Sequence, residues 1–108
     1  MSSYVLIESR DPFEGRGFGQ RCDLAAALVV HGATVTLFLL ENGVLAGRGT
    51  AQAHELEKLA RHGVTLLADE FALRERGITA GELAGHVKPA SLDALVEELG
   101  AGAVVLWN

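Results

Sequence analysis

The chain has 108 residues and a mass of 11.4 kDa, which is enough for one domain with a single hydrophobic core and too little for two. Its formal net charge of -5 and its scattered arginines disfavour a nucleic-acid backbone as a partner, and no run approaches the roughly 20 uncharged apolar residues of a membrane span. The single cysteine excludes an internal disulfide, and a hydrophobic fraction of 49% predicts that part of the apolar surface contacts another subunit.

The first half of the chain predicts a strand, a helix and a second strand. Residues 4–8 are a β-rich run that begins without the basic leader of a secretory signal, which together with the lone cysteine predicts a cytoplasmic protein. Residues 17–31 have a helical period, and residues 34–40 are rich in the Val, Thr, Leu and Phe of a buried strand. His31-Gly32 ends the helix with a glycine, and His62-Gly63 repeats this pair later in the chain.

The second half repeats the alternation. A helix is predicted to start after Thr50, a favourable N-cap, and to direct inward the apolar residues Ala53, Leu56, Leu59 and Ala60. A strand at 64–68, a short helix at 70–76 and a weakly patterned stretch at 78–84 follow. The remaining predictions are a short strand at 86–88 that Pro89 ends, a helix capped by Ser91 and bearing Leu92, Leu95, Val96 and Leu99, and a last strand at 103–107.

Strands that alternate with helices predict one α/β domain over residues 1–108. We expect three layers, with a doubly wound, mostly parallel sheet of about five strands and helices on both faces. The carboxyl ends of parallel strands lie side by side, and polar residues follow three of the predicted strands. The residues expected to gather at that edge and to line the pocket are Glu8, Ser9, Arg10, Asp11, Glu41, Asn42, Ala68, Asp69, Glu70 and Arg74.

This edge is the predicted ligand or partner pocket, and its chemistry is open. Glu8 and Asp69 are interpreted either as a carboxylate pair for acid/base work or as members of an ion-pair network with Arg10 and Arg74. The network is favoured because no nucleophile is placed beside them. The four histidines lack the spacing of a metal site, and the glycines at 15, 17 and 19 do not match a dinucleotide loop, so neither a metal nor a cofactor is expected.

The first helix carries two apolar stripes. Cys22 lies on the stripe that should face the sheet, where burial raises the pKa of a thiol and leaves it unreactive. Leu24 and Leu28 lie on a second stripe that points elsewhere, which predicts that they contact another subunit.

Four segments, YVLIESRDPFE, VTLFLLENGVLAG, GVTLLADEFALRERGI and the closing VVLW, resemble the DsrE-like family of sulfur-relay proteins, which includes the subunits of the TusBCD complex. The resemblance implies a small α/β protein that assembles as a trimer or hexamer. In the sulfur-carrying members a cysteine just after the third strand holds a persulfide. Aligning on Ala72-Leu73-Arg74 puts that position at Ala68, which cannot carry sulfur.

The resemblance also implies a role, since some subunits of the family lack the cysteine and act as structural partners. We therefore expect a cytoplasmic, self-associating, non-catalytic binding or assembly subunit in sulfur-relay or sulfur/redox metabolism, with other sulfur-relay proteins as partners. One alternative is a protein or enzyme that binds a small anionic ligand at the polar edge. Another is a persulfide carrier that uses Cys22.

Overall fold

A computed structural model of the chain describes residues 2–49 and 52–107. The strands are β1 (Ser3–Glu8), β2 (Thr34–Leu39), β3 (Thr65–Asp69), β4 (Val87–Ala90) and β5 (Val104–Trp107). The α-helices are α1 (Gly17–Val30), α2 (Ala53–Arg61), α3 (Glu70–Glu75) and α4 (Leu92–Gly100), and two 3-10 helices span Glu41–Gly47 and Ala80–Glu82. No helix in these two ranges is long and apolar enough to cross a bilayer.

The five described strands form one parallel sheet in the order β4-β3-β2-β1-β5. The first strand therefore lies inside the sheet, and β4 and β5 form its edges. At one level of the sheet, Glu8 pairs with Leu39, Leu39 with Ala68, and Ala68 with Pro89. The predicted α/β class and parallel sheet are confirmed.

Helices cover both faces of the sheet. The larger core joins Leu6, Leu37 and Leu66 of the strands to residues of α1, α2 and α3. On the opposite face, Val5, Ile7, Phe38 and Leu40 pack against Ala94 and Leu95 of α4. The sheet is buried on both sides because its strands alternate apolar side chains between the two cores.

Local signals explain several helix ends. Gly32 and Gly63 have φ of +88° and +96°, so each His-Gly pair terminates its helix as predicted. The hydroxyl of Ser91 accepts the N–H of Asp93 at 3.2 Å and caps α4, which is also confirmed. Thr50 lies outside the described residues.

Pro89 lies inside β4 rather than ending it, so that prediction is wrong. The physical reason is the position of β4 at an edge of the sheet, where a residue without an N–H is tolerated because no further strand needs that donor. The weakly patterned stretch at 78–84 contains a 3-10 turn, in which Thr79 and Glu82 form a reciprocal capping box.

Candidate functional site

Two carboxylates end strands of the sheet, and both are buried. Glu8 is 1% exposed, and its carboxylate accepts the backbone N–H of Arg10 at 3.1 Å. Asp69 is 4% exposed and caps α3, because its Oδ2 accepts the N–H of Ala72 at 3.1 Å. Each carboxylate therefore stabilises the start of the loop or helix that follows its own strand.

Glu8 and Asp69 do not form the predicted pair. A pair would require their strands to be neighbours, but β2 lies between β1 and β3, which separates the two strands by about 10 Å. Glu8 is level with Ala68, so the alternation of side chains along β3 puts Asp69 on the other face of the sheet. This geometry excludes shared acid/base chemistry between the two groups.

Ala68 lies in the larger core and is 0% exposed. Its methyl group faces the same side as Glu8, under the helices that cover this face. The predicted pocket therefore does not include Ala68 as a surface residue.

Asn42 holds the loop after β2 against α3. Its Oδ1 accepts from Nε and Nη2 of Arg76 at 3.3 Å and 2.9 Å, and Nη1 of the same arginine donates to the carbonyl of Ala72 at 3.1 Å. Arg76 was not among the predicted site residues. The one hint of its role in the sequence is its position near the end of a predicted helix. The contact itself could not be predicted, because Asn42 is 34 residues away in sequence.

The close approach of this loop to β1 requires Gly43. A Cβ at this position would collide with the backbone carbonyl of Glu8, which already accepts the N–H of Leu40 at 2.9 Å. The Asn42-Gly43 pair therefore serves two contacts at once, because the amide reaches α3 and the glycine lets the backbone pass β1.

Arg10 and Arg74 are exposed, and neither side chain makes a hydrogen bond or ion pair with a residue that the structure describes. The predicted network with Asp69 is therefore wrong. Arg74 lines an open cavity of about 530 Å³ between α3 and β4, together with Glu70, Leu73, Gly77, Ile78, Thr79, Ala80 and Pro89. Arg10 follows β1, which lies two strands from β3 and three from β4, and it is not among the residues that line this cavity.

The loop after β1 is held by its own polar residues. Ser9 Oγ accepts Nε1 of Trp107 at 3.2 Å, and Asp11 Oδ1 accepts the N–H of Phe13 at 2.9 Å. The predicted pocket thus separates into buried carboxylates, bonded loop residues and two arginines that lie apart and have no side-chain partner among residues 2–49 and 52–107. What remains as a candidate binding site is the cavity beside Arg74.

Cys22 lies in the groove between α1 and α2 and is 2% exposed, which confirms the predicted burial. Burial, with smaller contributions from the nearby carboxylates of Glu55, Asp23 and Glu8, raises the pKa of its thiol to about 12. The groove holds about 160 Å³ and is lined by both helices. A thiol in this setting stays protonated at neutral pH and is a poor nucleophile.

A second cavity, of about 440 Å³, lies between the start of α2 and the residues before β4. Glu82 lines it, and the backbone and hydroxyl of Thr79 lower the pKa of that carboxyl. Within the described ranges, no group of His, Cys, Asp and Glu could hold a metal ion.

Large apolar side chains lie exposed on four elements and one loop: Leu24 and Val30 of α1, Phe71 of α3, Leu92, Val96 and Leu99 of α4, Val104 and Trp107 of β5, and Phe13 in the loop after β1. Leu28 is half-buried and packs against the larger core. Of the two predicted contact residues, Leu24 therefore presents more of its surface to solvent than Leu28 does.

Comparisons with known proteins agree with this architecture. The sequence profile of the DsrE/DsrF-like family matches residues 11–107. No curated protein matches the sequence. Among solved structures, the ychN protein of E. coli is similar at 23% identity and a TM-score of 0.88, over 100% of both chains.

Two further solved structures have the same fold. MTH1491 from Methanobacterium thermoautotrophicum, a protein of unknown function, has 17% identity and a TM-score of 0.88 over 100% of both chains. BT1422 from Bacteroides thetaiotaomicron has 17% identity and a TM-score of 0.79 over 97% of this chain and 94% of that one. At these identities the likeness establishes the fold, and the chemistry depends on the side chains of each protein.

Proposed function

This chain belongs to the DsrE/DsrF-like family, and on that basis we propose that it is a non-catalytic, self-associating subunit of a cytoplasmic sulfur-relay or sulfur/redox system. The observation that carries the proposal is the lack of a usable thiol. The position that corresponds to the family's sulfur-carrying cysteine is Ala68, which is buried in the sheet. Other relay proteins that do carry persulfides are the proposed partners.

Cys22 does not replace the missing thiol. A persulfide forms on a thiolate, and with a pKa of about 12 only about one Cys22 side chain in 10⁵ is ionised at pH 7. The acidic neighbours Glu55 and Asp23 would also repel a thiolate, whereas sulfur-carrying cysteines need a cation or backbone N–H groups nearby. The acidic surroundings of Cys22 therefore argue for an assembly role rather than for sulfur transfer.

Self-association is supported by the exposed apolar side chains of α1, α4 and β5. Scattered single apolar residues are normal on a surface, but three on one short helix, Leu92, Val96 and Leu99, form a stripe with helical spacing. Leu24 and Leu28 remain the proposed contact residues on α1. A trimer or hexamer is the assembly that the family resemblance favours.

The test is sulfur loading followed by intact mass measurement. Incubation with a cysteine desulfurase and cysteine should add no increment of about 32 Da per sulfur to the native protein. Iodoacetamide should leave native Cys22 unmodified and should alkylate the denatured chain, which shows that burial protects the thiol. A Cys22→Ser variant is the matched control for any mass that is added. A persulfide on native Cys22 that passes to an acceptor would establish the carrier function instead.

One observation favours a second candidate function. Arg74 is exposed, and its side chain makes no hydrogen bond or ion pair with any described residue. It lies beside a cavity of about 530 Å³ that the apolar side chains of Leu73 and Ile78 also line. A cation next to an apolar surface suits a small anionic ligand with an apolar body. In this alternative the chain binds such a ligand and the assembly presents it.

A further inference from the structure

The cavity beside Arg74 lies between α3, the turn that follows this helix and the strand β4. Its volume of about 530 Å³ falls within the roughly 300–1,000 Å³ that is usual for small-molecule sites. Five of its eight lining residues have no polar side-chain atom, namely Leu73, Gly77, Ile78, Ala80 and Pro89. Pro89 also lacks a backbone N–H, so the β4 side of the cavity is apolar. The cavity therefore offers an apolar wall to a small molecule.

Two opposite charges border this cavity. Glu70 and Arg74 both line it, and they are one helical turn apart on α3. A glutamate four residues before an arginine is in the favourable order for an ion pair along a helix. Among residues 2–49 and 52–107, however, neither of these side chains forms an ion pair or a hydrogen bond. Both are exposed, so a carboxylate and a guanidinium are available to a ligand at the same cavity.

Thr79 is the remaining polar residue of the lining. It donates its backbone N–H and its hydroxyl proton to Oε1 of Glu82, at 2.9 Å and 3.0 Å. The hydroxyl has no second proton, so it can serve a ligand only as an acceptor. The polar side chains of the cavity thus provide one cationic donor, Arg74, and two acceptors, Glu70 and Thr79.

We propose that this cavity binds a free α-amino acid with an apolar side chain. The guanidinium of Arg74 binds the carboxylate, because its fork of N–H groups matches the two carboxylate oxygens. Glu70 and Thr79 accept from the ammonium group, and the apolar wall covers the side chain of the ligand. This inference rests on the second candidate function, ligand binding at this cavity, and specifies the ligand.

The presence of both signs of charge selects a zwitterion over a simple anion. A ligand with a carboxylate alone is attracted by Arg74 and repelled by Glu70. An α-amino acid carries its two charges next to one carbon atom, which suits two side chains whose Cβ atoms are about 5–6 Å apart on one helix. Each exposed ionic contact contributes little by itself, so binding depends on both charges and on the apolar wall together.

The first experiment compares three ligands that share one apolar group. Leucine carries both charges, 4-methylpentanoate lacks the ammonium group and 3-methylbutylamine lacks the carboxylate. In a titration followed by backbone amide NMR shifts, we expect leucine to bind with a dissociation constant of about 1 mM or below and the other two at least fivefold more weakly. The amides that shift should cluster at residues 70–80.

The outcomes separate this inference from the function on which it rests. Binding of 4-methylpentanoate as tight as that of leucine would overturn the amino-acid inference, and ligand binding at the cavity would still stand. Amide shifts that lie outside residues 70–80 would overturn both, and so would the lack of binding by all three ligands.

The second experiment assigns each charge of the ligand to a side chain. Glu70→Gln should weaken leucine binding at least fivefold and leave 4-methylpentanoate binding no weaker, whereas Arg74→Gln should weaken the binding of both. Arg10→Gln is the matched control, because Arg10 is also exposed but does not line the cavity, and it should leave both affinities unchanged. All three changes are at exposed positions and should preserve the fold, which the amide spectrum checks. Unchanged leucine binding in Glu70→Gln, or an equal loss in Arg10→Gln, would overturn the inference.

Discussion

Alkaline pH should destabilise this protein through Cys22. The thiol pKa is about 12 in the folded chain against 9.0 as the reference value, because burial and the nearby Glu55 disfavour the thiolate. Between these two values the unfolded chain loses the thiol proton and the folded chain keeps it. The unfolded state is therefore favoured as pH rises, and the contribution of Cys22 to stability is complete below pH 9 and is lost towards pH 12.

The magnitude follows from the two pKa values. Each pH unit above 9.0 lowers the free energy of unfolding by about 1.4 kcal/mol, which amounts to about 2 kcal/mol at pH 10.5. Substituting Cys22→Ala removes the titrating group and leaves a small cavity whose cost, about 1 kcal/mol, does not depend on pH. The difference in stability between the two proteins should therefore shrink above pH 9 and then change sign.

Urea unfolding at several pH values between 7 and 10.5 measures this directly. Lysine and tyrosine titrate in the same range, but they do so in both proteins and cancel in the comparison. Parallel pH profiles for the parent protein and the Cys22→Ala variant would refute the reasoning, since they would mean that Cys22 ionises equally easily in the folded and unfolded states.

Two further predictions concern Arg74, which lies in α3, and Arg76, which follows the helix. Arg76→Ala should lower the free energy of unfolding by about 2 kcal/mol, because it removes the bonds to Asn42 and Ala72, while Arg74→Ala should change it by less than about 0.5 kcal/mol. Equal losses in urea unfolding would contradict the assigned bonds. Millimolar thiosulfate or an apolar carboxylate should raise the melting temperature of the parent protein and not that of Arg74→Ala if the cavity binds anions. No shift in either protein would remove the ligand-binding alternative.

The order of the strands in the sheet explains why the residues of the predicted pocket do not all lie together. The loops that follow β1, β2 and β3 were expected to meet at one edge of the sheet, and the strands do end on that side. The sequence does not say that β2 lies between β1 and β3, nor on which face each side chain falls at the strand end. A shift of one residue in register moves a carboxylate to the opposite face, and that shift separates Glu8 from Asp69.

The helix ends, the alternation of strands and helices, and the burial of Cys22 could be predicted from the sequence. These features depend on interactions within about one helical turn, such as the Ser91 cap, or on a period that a single segment displays. For such features the chain alone holds the necessary information.

Only the tertiary structure decided which residues lie at an edge and which lie inside. Pro89 can belong to a strand because β4, among the described strands, is paired on one side only. The apolar run of β5 is open to a partner for the same reason. Arg76 finds Asn42 across 34 residues, and Gly43 is needed because β1 passes beside it. Each of these contacts joins segments far apart in sequence, so its existence depends on how the whole chain packs and not on any local preference.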